Sequence, residues 1–158
     1  MKVCYPGTFD PITVGHLDII ERASNKFDEV IVLIMQNPRK KCMFTAEERK
    51  YMIEQCIKAD NVKVEIGTGL TVEYAKKLGA SAIVRGIRAV TDYEYELAQA
   101  TANMKLESTI ETLFLIAKPE YSFLSSSVVK EIAMNGGSTE GLLPEEITEY
   151  AVERMKLS

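Results

Sequence analysis

Short apolar runs alternate with stretches of helical periodicity along the whole chain. Lys2 to Tyr5 (KVCY) reads as a first strand, and beyond the Pro6-Gly7 break Leu17, Ile20, Ala23 and Phe27 recur at the spacing of one helix face. Val30 to Met35 (VIVLIM) is an unbroken apolar run rich in β-branched residues, the pattern of a central parallel strand covered on both faces. Thr45-Ala46-Glu47-Glu48 has the form of a capping box, and Met52, Ile53, Cys56 and Ile57 make the stripe of the helix it opens. Val62, Val64 and Ile66 alternate with Lys63 and Glu65, which predicts a half-exposed edge strand before the turn Gly67-Thr68-Gly69. Val72, Ala75 and Leu78 line a helix stopped by Gly79, and Ala82 to Val84 is a fourth strand. Thr91 to Glu94 is expected to cap a helix running to about Leu106, and Leu113 to Ala117 is a fifth strand. Ser125, Ser126 and Ser127 open a helix with Val128, Val129, Ile132 and Ala133 inward, ended by Asn135-Gly136-Gly137. Pro144 starts the last helix.

Strands that alternate with helices must be parallel, because each return needs a crossover, and right-handed crossovers wind helices onto both faces. The expectation is therefore an α/β fold, a doubly wound five-stranded parallel sheet forming a single domain over residues 1–158. Repeats, low-complexity tracts and linkers are absent, and 46% hydrophobic residues are enough for a real core. A net charge of −4 argues against a nucleic-acid partner, so any basic cluster has to be local. Cys4, Cys42 and Cys56 are odd in number, widely spaced and without a C-x-x-C pair, which suggests neither a disulfide framework nor zinc. With no signal-like leader and no long apolar run, the sequence reads as cytoplasmic, with no membrane partner.

In doubly wound sheets, ligands sit beyond the carboxyl ends of the strands, near the point where strand order reverses. Thr8 and His16 follow the first strand, Arg39, Lys40 and Lys41 the second, Arg85 and Arg88 the fourth, and Ser125 to Ser127 the fifth. An acidic chain thus gathers arginines, lysines, its one histidine and a serine-rich helix start on one edge of its sheet. Arg forks, Lys point charges and free helix N-terminal amides are the chemistry of a polyphosphate site. Each member also has a plainer reading. Pro6-Gly7 and Asp10-Pro11 can be turn chemistry, although Gly7 directly after the first strand also lets a ligand approach the backbone; Lys40-Lys41 can be a solvated pair, and the serines can be a generous N-cap. Arg85 is harder to dismiss, since an arginine ending an apolar strand needs an anionic partner to offset its desolvation. The positive end of a helix disfavours imidazolium, so His16 is either neutral or held by an anion. Asp10 is a metal-ligand candidate on charge alone; no metal-binding cluster is expected. Neither G-x-x-x-x-G-K-[ST] nor G-x-G-x-x-G occurs, which removes the main support for NTPase and NAD-enzyme readings.

Three blocks, YPGTFDPITVGH with its T-x-G-H at Thr13 to His16, RGIRAVTDYEYE at Arg85 to Glu96, and SFLSSSVVKE at Ser122 to Glu131, resemble the bacterial phosphopantetheine adenylyltransferases. T-x-G-H or H-x-G-H alone marks the wider nucleotidyltransferase superfamily, whereas the three blocks in this order and spacing are highly specific. The resemblance implies a Rossmann-like nucleotidyltransferase fold and transfer of the adenylyl group of ATP to 4′-phosphopantetheine. The products would be dephospho-coenzyme A and pyrophosphate, with Mg²⁺ accompanying the nucleotide. It implies Thr8 and His16 at the α-phosphate, with His16 stabilising the transition state, and Lys40 and Arg85 on the acceptor's phosphate. Catalysis would rest on His16, Thr8, Lys40, Arg88 and Ser126. Phe9, Gly86, Ile87 and Arg88 would form the nucleotide site, with Glu96 near the ribose and base. The segment Tyr121, Ser122, Phe123, Leu124, Ser125, Ser126 and Ser127 would wrap nucleotide and phosphates, and Thr71 would meet the pantetheine arm. Tyr121 stands where many relatives carry Trp. A homohexamer and feedback inhibition by coenzyme A are implied as well. Two rivals use the same residues: a nucleotidyltransferase with another acceptor, such as nicotinamide mononucleotide or a CDP-alcohol precursor, and a non-catalytic nucleotide sensor.

Overall fold

The computed structural model describes residues 1–158. Its strands are β1 (Lys2–Gly7), β2 (Glu29–Gln36), β3 (Val62–Thr68), β4 (Ala82–Ile87) and β5 (Glu111–Ile116), all parallel in the order β3-β2-β1-β4-β5. The helices are α1 (Val14–Ser24), α2 (Ala46–Cys56), α3 (Thr71–Lys77), α4 (Val90–Leu106), α5 (Ser126–Met134) and α6 (Glu145–Lys156), with a 3₁₀ turn at Pro119–Tyr121. The expected α/β architecture holds, with β2 inside the sheet and β3 at its edge. No helix is long and apolar enough to cross a membrane.

Alternation along the strands fixes the two layers. Val3, Tyr5, Val30, Val32, Ile34, Ala82 and Val84 join the larger core with residues of α1, α2, α5 and α6. Cys4, Leu33 and Ile83 point the other way and pack with Val72 and Ala75 of α3. Arg85 lies two residues beyond Ile83 and so shares the α3 face, where α4 also lies: Tyr93 of α4 meets Phe114 of β5 edge-on, 6.0 Å between ring centroids.

The chain winds outward from β1 to β3, then crosses back to β4, so β1 and β4 flank the switch point. There the ladder is short. β1 matches β2 from Lys2–Glu29 to Gly7–Ile34, but meets β4 only at Val3–Ala82 and Cys4–Ile83. Past Cys4 the two strands splay, and a cleft opens between their carboxyl ends.

Several boundaries differ from expectation. β1 runs through Pro6 to Gly7, because Pro6 has no N–H to offer on the side where β4 has already diverged. α1 ends at Ser24, and Phe27 mimicked its periodicity by packing on the same core from beyond the cap. α4 begins at Val90 after Ala89 with no side-chain cap, because Asp92 reaches back to the Arg88 amide (3.0 Å) and Thr91 caps nothing. β5 starts at Glu111, whose polar side chain and that of Thr112 hid the ladder pairs Ala82–Glu111 and Ile83–Thr112.

Candidate active site

The β1–α1 loop forms one wall of the cleft. Phe9 is buried with φ at 51°, a left-handed conformation that costs a bulky residue about 1–2 kcal/mol. Its ring packs edge-on against Tyr5 (5.4 Å) and His16 (5.1 Å). Gly7 is required by that ring, since a Cβ there would stand 2.9 Å from Phe9 Cζ. At the start of α1, Thr13 Oγ1 accepts from the His16 amide (3.3 Å), and His16 Nδ1 accepts from the Thr13 amide (3.0 Å). This is a capping box in which histidine fills the place usually taken by Glu or Gln.

The bond settles the tautomer. With Nδ1 accepting a backbone N–H, a neutral ring carries its proton on Nε2, which is left as a donor. Burial first, then the charges of Arg88 and Arg85, push the His16 pKa down to about 4. Of the two states open to it, the unliganded protein holds the neutral one.

The opposite wall comes from β4 and α4. Arg85 grips Glu96 through Nε (2.8 Å) and Nη2 (2.7 Å), and its Nη1 donates to the Pro6 carbonyl across the splayed strands. The anionic partner that its burial demands is therefore Glu96. Arg88 grips Asp92 through Nε (2.9 Å) and Nη2 (3.1 Å), and reaches the Leu124 carbonyl through Nη1 (2.6 Å). Burial works to raise the Asp92 pKa, but the hydrogen bonds and charge of Arg88 prevail and hold it below the usual range. Lys40 alone among the cations lining the cleft has no carboxylate partner.

At the start of α5 the Ser125 hydroxyl accepts from the Val128 amide (3.2 Å), so it is a helix cap, as its plainer reading had it. Ser126 Oγ donates to the Pro11 carbonyl (2.7 Å) and ties α5 to the β1–α1 loop. The Ser126 and Ser127 amides of the first turn still face out from the helix end.

The cleft measures about 390 Å³, and Thr8, Phe9, His16, Lys40, Arg85, Gly86, Arg88, Glu96, Tyr121, Leu124, Ser125 and Ser126 all line it. Ile87 is buried and does not line it, Ser122, Phe123 and Ser127 face solvent, and Thr71 opens α3 outside it. Asp10 is no metal ligand: its oxygens accept from the Met43 and Phe44 amides and from Lys130. No group of three His, Cys, Asp or Glu side chains converges anywhere. Thr13, Gly15 and Asp92 also line the cleft, and the sequence pattern alone does not single them out as site residues. Asp92 was within reach as the i+4 partner of Arg88, and Thr13 only if histidine is admitted to the capping-box pattern.

The cytidylyltransferase-like family model matches residues 4–132. The chain is 51% identical over 157 residues to a phosphopantetheine adenylyltransferase of Thermotoga neapolitana, covering 99% of this chain and 98% of that one. It is 54% identical over 153 residues to one of Bdellovibrio bacteriovorus, covering 96% of each. Among solved structures, nicotinic acid mononucleotide adenylyltransferase of Plasmodium falciparum, complexed with NaAD, superposes with a TM-score of 0.69 at 15% identity over 99% of both chains. A putative nicotinate-nucleotide adenylyltransferase of Vibrio parahaemolyticus gives 0.64 at 16% identity, covering 97% of this chain and 94% of that one. At such identities the two structures share the fold.

Two outcomes are expected. Gly7→Ala displaces the Phe9 ring and lowers stability by about 1–3 kcal/mol, read from the urea midpoint at unchanged m-value. The single histidine gives one C2–H NMR resonance, whose titration midpoint falls near pH 4 rather than 6.5. Between those values the unfolded chain binds the extra proton, so the His16 contribution to stability is complete above the window and is lost as pH falls through it.

Proposed function

The chain belongs to the phosphopantetheine adenylyltransferases, a family of nucleotidyltransferase enzymes, and on that premise we propose that it joins ATP to 4′-phosphopantetheine by in-line attack. An oxygen of the acceptor phosphate bonds to the α-phosphorus of ATP, the bond to the β-phosphate oxygen breaks, and dephospho-coenzyme A and pyrophosphate are released. The observation that carries the reading is that His16, Lys40, Arg85, Arg88 and Ser126 line one cleft at the switch point of the sheet. The acceptor is already ionised, so no general base is needed. Positioning two anions and offsetting their repulsion is the main task, worth several kcal/mol of barrier.

His16 Nε2–H donates to a non-bridging α-phosphate oxygen as charge builds there, and Thr8 meets the same group. A neutral donor suits this role, since its Nε2–H is too weak an acid to be lost to the phosphate it bonds. Lys40 and Arg85 hold the acceptor's phosphate. Arg88 and the amides of the Tyr121–Ser127 segment hold the ATP phosphates, while Phe9, Gly86 and Ile87 shape the nucleotide pocket. Glu96 sits where ribose and base would lie, and its grip on Arg85 is the contact a ligand would share or replace. Thr71, at the same sheet edge beyond β3, suits the far end of the flexible pantetheine arm.

Mg²⁺ would arrive on the nucleotide's own phosphates and neutralise the departing pyrophosphate; the cleft carboxylates Asp92 and Glu96 are both held by arginines, and no side chain is assigned to the metal. Coenzyme A carries both halves of the product, which supports its expected role as a feedback inhibitor at the same cleft. The exposed apolar side chains of α4, among them Val90, Tyr95, Met104 and Leu106, support the expected homohexamer. A cytoplasmic location fits the same reading.

Purified protein with MgATP is expected to release pyrophosphate with 4′-phosphopantetheine and not with nicotinic acid or nicotinamide mononucleotide; a signal with a mononucleotide alone would reverse the choice of acceptor. His16→Ala is expected to lower kcat by about 10²–10³-fold with a smaller change in ATP affinity, and equal losses in both would count against its role.

A further inference from the structure

Asp10 is an expensive residue to bury. Its side chain is 4% exposed, and a carboxylate withdrawn from water that far costs several kcal/mol unless donors surround it. Three do: Oδ1 accepts from the Phe44 amide (2.9 Å), and Oδ2 accepts from the Met43 amide (2.9 Å) and from Lys130 Nζ (2.9 Å). None is local. Met43 and Phe44 end the β2–α2 loop that carries Lys40, Lys130 lies on α5 beyond Ser126, and Asp10 itself follows Thr8 and Phe9 in the β1–α1 loop.

The β2–α2 loop has few other ties. The Lys40 amide bonds to the Asn37 carbonyl within the same turn, and residues 40–44 reach other elements by hydrogen bonds only through the two amides on Asp10. Apolar anchoring comes from the buried Phe44 ring. By contrast, the β1–α1 loop is fixed from several sides, by Arg49 Nη1 on the Thr8 carbonyl (2.8 Å) and Ser126 on the Pro11 carbonyl. The β2–α2 loop is thus held to the β1–α1 loop by the Asp10 carboxylate along residues 40–44, with the Phe44 ring below and Arg49 bridging Thr45 to Thr8 at its end.

We propose that Asp10 and Lys130 form a positioning pair that sets Lys40 at a fixed distance from His16 and Thr8, and thereby the acceptor phosphate at its distance from the α-phosphate. Neither residue touches substrate; both act through Lys40. The inference rests on the reading that Lys40 holds the acceptor phosphate. A displacement of about 1 Å between reacting groups can cost 10²-fold in rate, which is why a buried charge is a useful anchor there.

The test uses the full chain and the variants Asp10→Asn and Lys130→Met. Asn presents one acceptor oxygen where two were used and has no charge for Lys130. Lys130→Met keeps both amide bonds and removes the counter-ion. In limited trypsin digestion, cleavage after Arg39, Lys40 and Lys41 is expected to rise about tenfold in Asp10→Asn relative to cleavage elsewhere in the same digest, and about threefold in Lys130→Met. In steady-state kinetics the KM for 4′-phosphopantetheine is expected to rise by about tenfold in Asp10→Asn, with the KM for ATP changed less than about twofold. A purely structural role would instead lower kcat with the folded fraction and leave both KM values alone. That result, or unchanged tryptic rates in folded variants, overturns the proposal. Should Asp10→Asn not fold, Lys130→Met decides by the same two readouts. Absence of turnover with wild-type protein would overturn the proposed function and with it the acceptor-phosphate part of the inference, and the tryptic comparison would then decide whether the pair anchors the Lys40 loop.

Discussion

Everything at the candidate site depends on the place where two parallel strands stop pairing. β1 and β4 share only two residue pairs before they part, and beyond those pairs each strand carries backbone polar groups that need other partners. Arg85 supplies one by crossing the gap to the Pro6 carbonyl, and Pro6 removes the need for another by having no N–H. The divergence creates both the space for a ligand and the demand for a polar side chain at its floor. A longer β1–β4 ladder would have closed the cleft with ordinary sheet.

The electrostatics come from the same crowding. Two arginines brought to one cleft of an acidic protein are each gripped by a carboxylate from α4, so they are held in place without an uncompensated charge. Burial, with their two charges adding to it, keeps His16 from accepting a proton. The ring therefore enters any encounter with phosphate as a hydrogen-bond donor, and the one cleft cation without a carboxylate partner is Lys40. The division between fixed arginines, neutral histidine and free lysine comes from burial and partners, since all three side-chain types can carry charge in water.

Much of the fold was legible in the chain because periodicity reports burial directly. VIVLIM reads as an interior strand and the alternation in VKVEI as an edge, and both lie where the pattern put them. Boundaries set by one contact were not legible. Pro6 looks like a terminator unless the neighbouring strand is known to have left, and Thr91 looks like a cap unless Asp92 is seen turning back to Arg88. The same limit applies to the site. That Thr8, His16, Lys40, Arg85 and Ser126 share an edge comes from strand ends alone, a matter of topology. That Arg85 is answered by Glu96 and Asp10 by Lys130 depends on pairs 11 and 120 residues apart, and nothing in local sequence chooses those partners over water.

The histidine capping box has a reach beyond helix stability. The group that dictates where the imidazole proton resides is the peptide N–H of Thr13, a feature common to every amino acid except one. Variation at that position can alter how firmly the helix starts without rewriting the protonation pattern of the ring, so a T-x-G-H and an H-x-G-H sequence inherit the same donor. Only proline, which deletes the peptide hydrogen itself, would free the ring to choose its other tautomer.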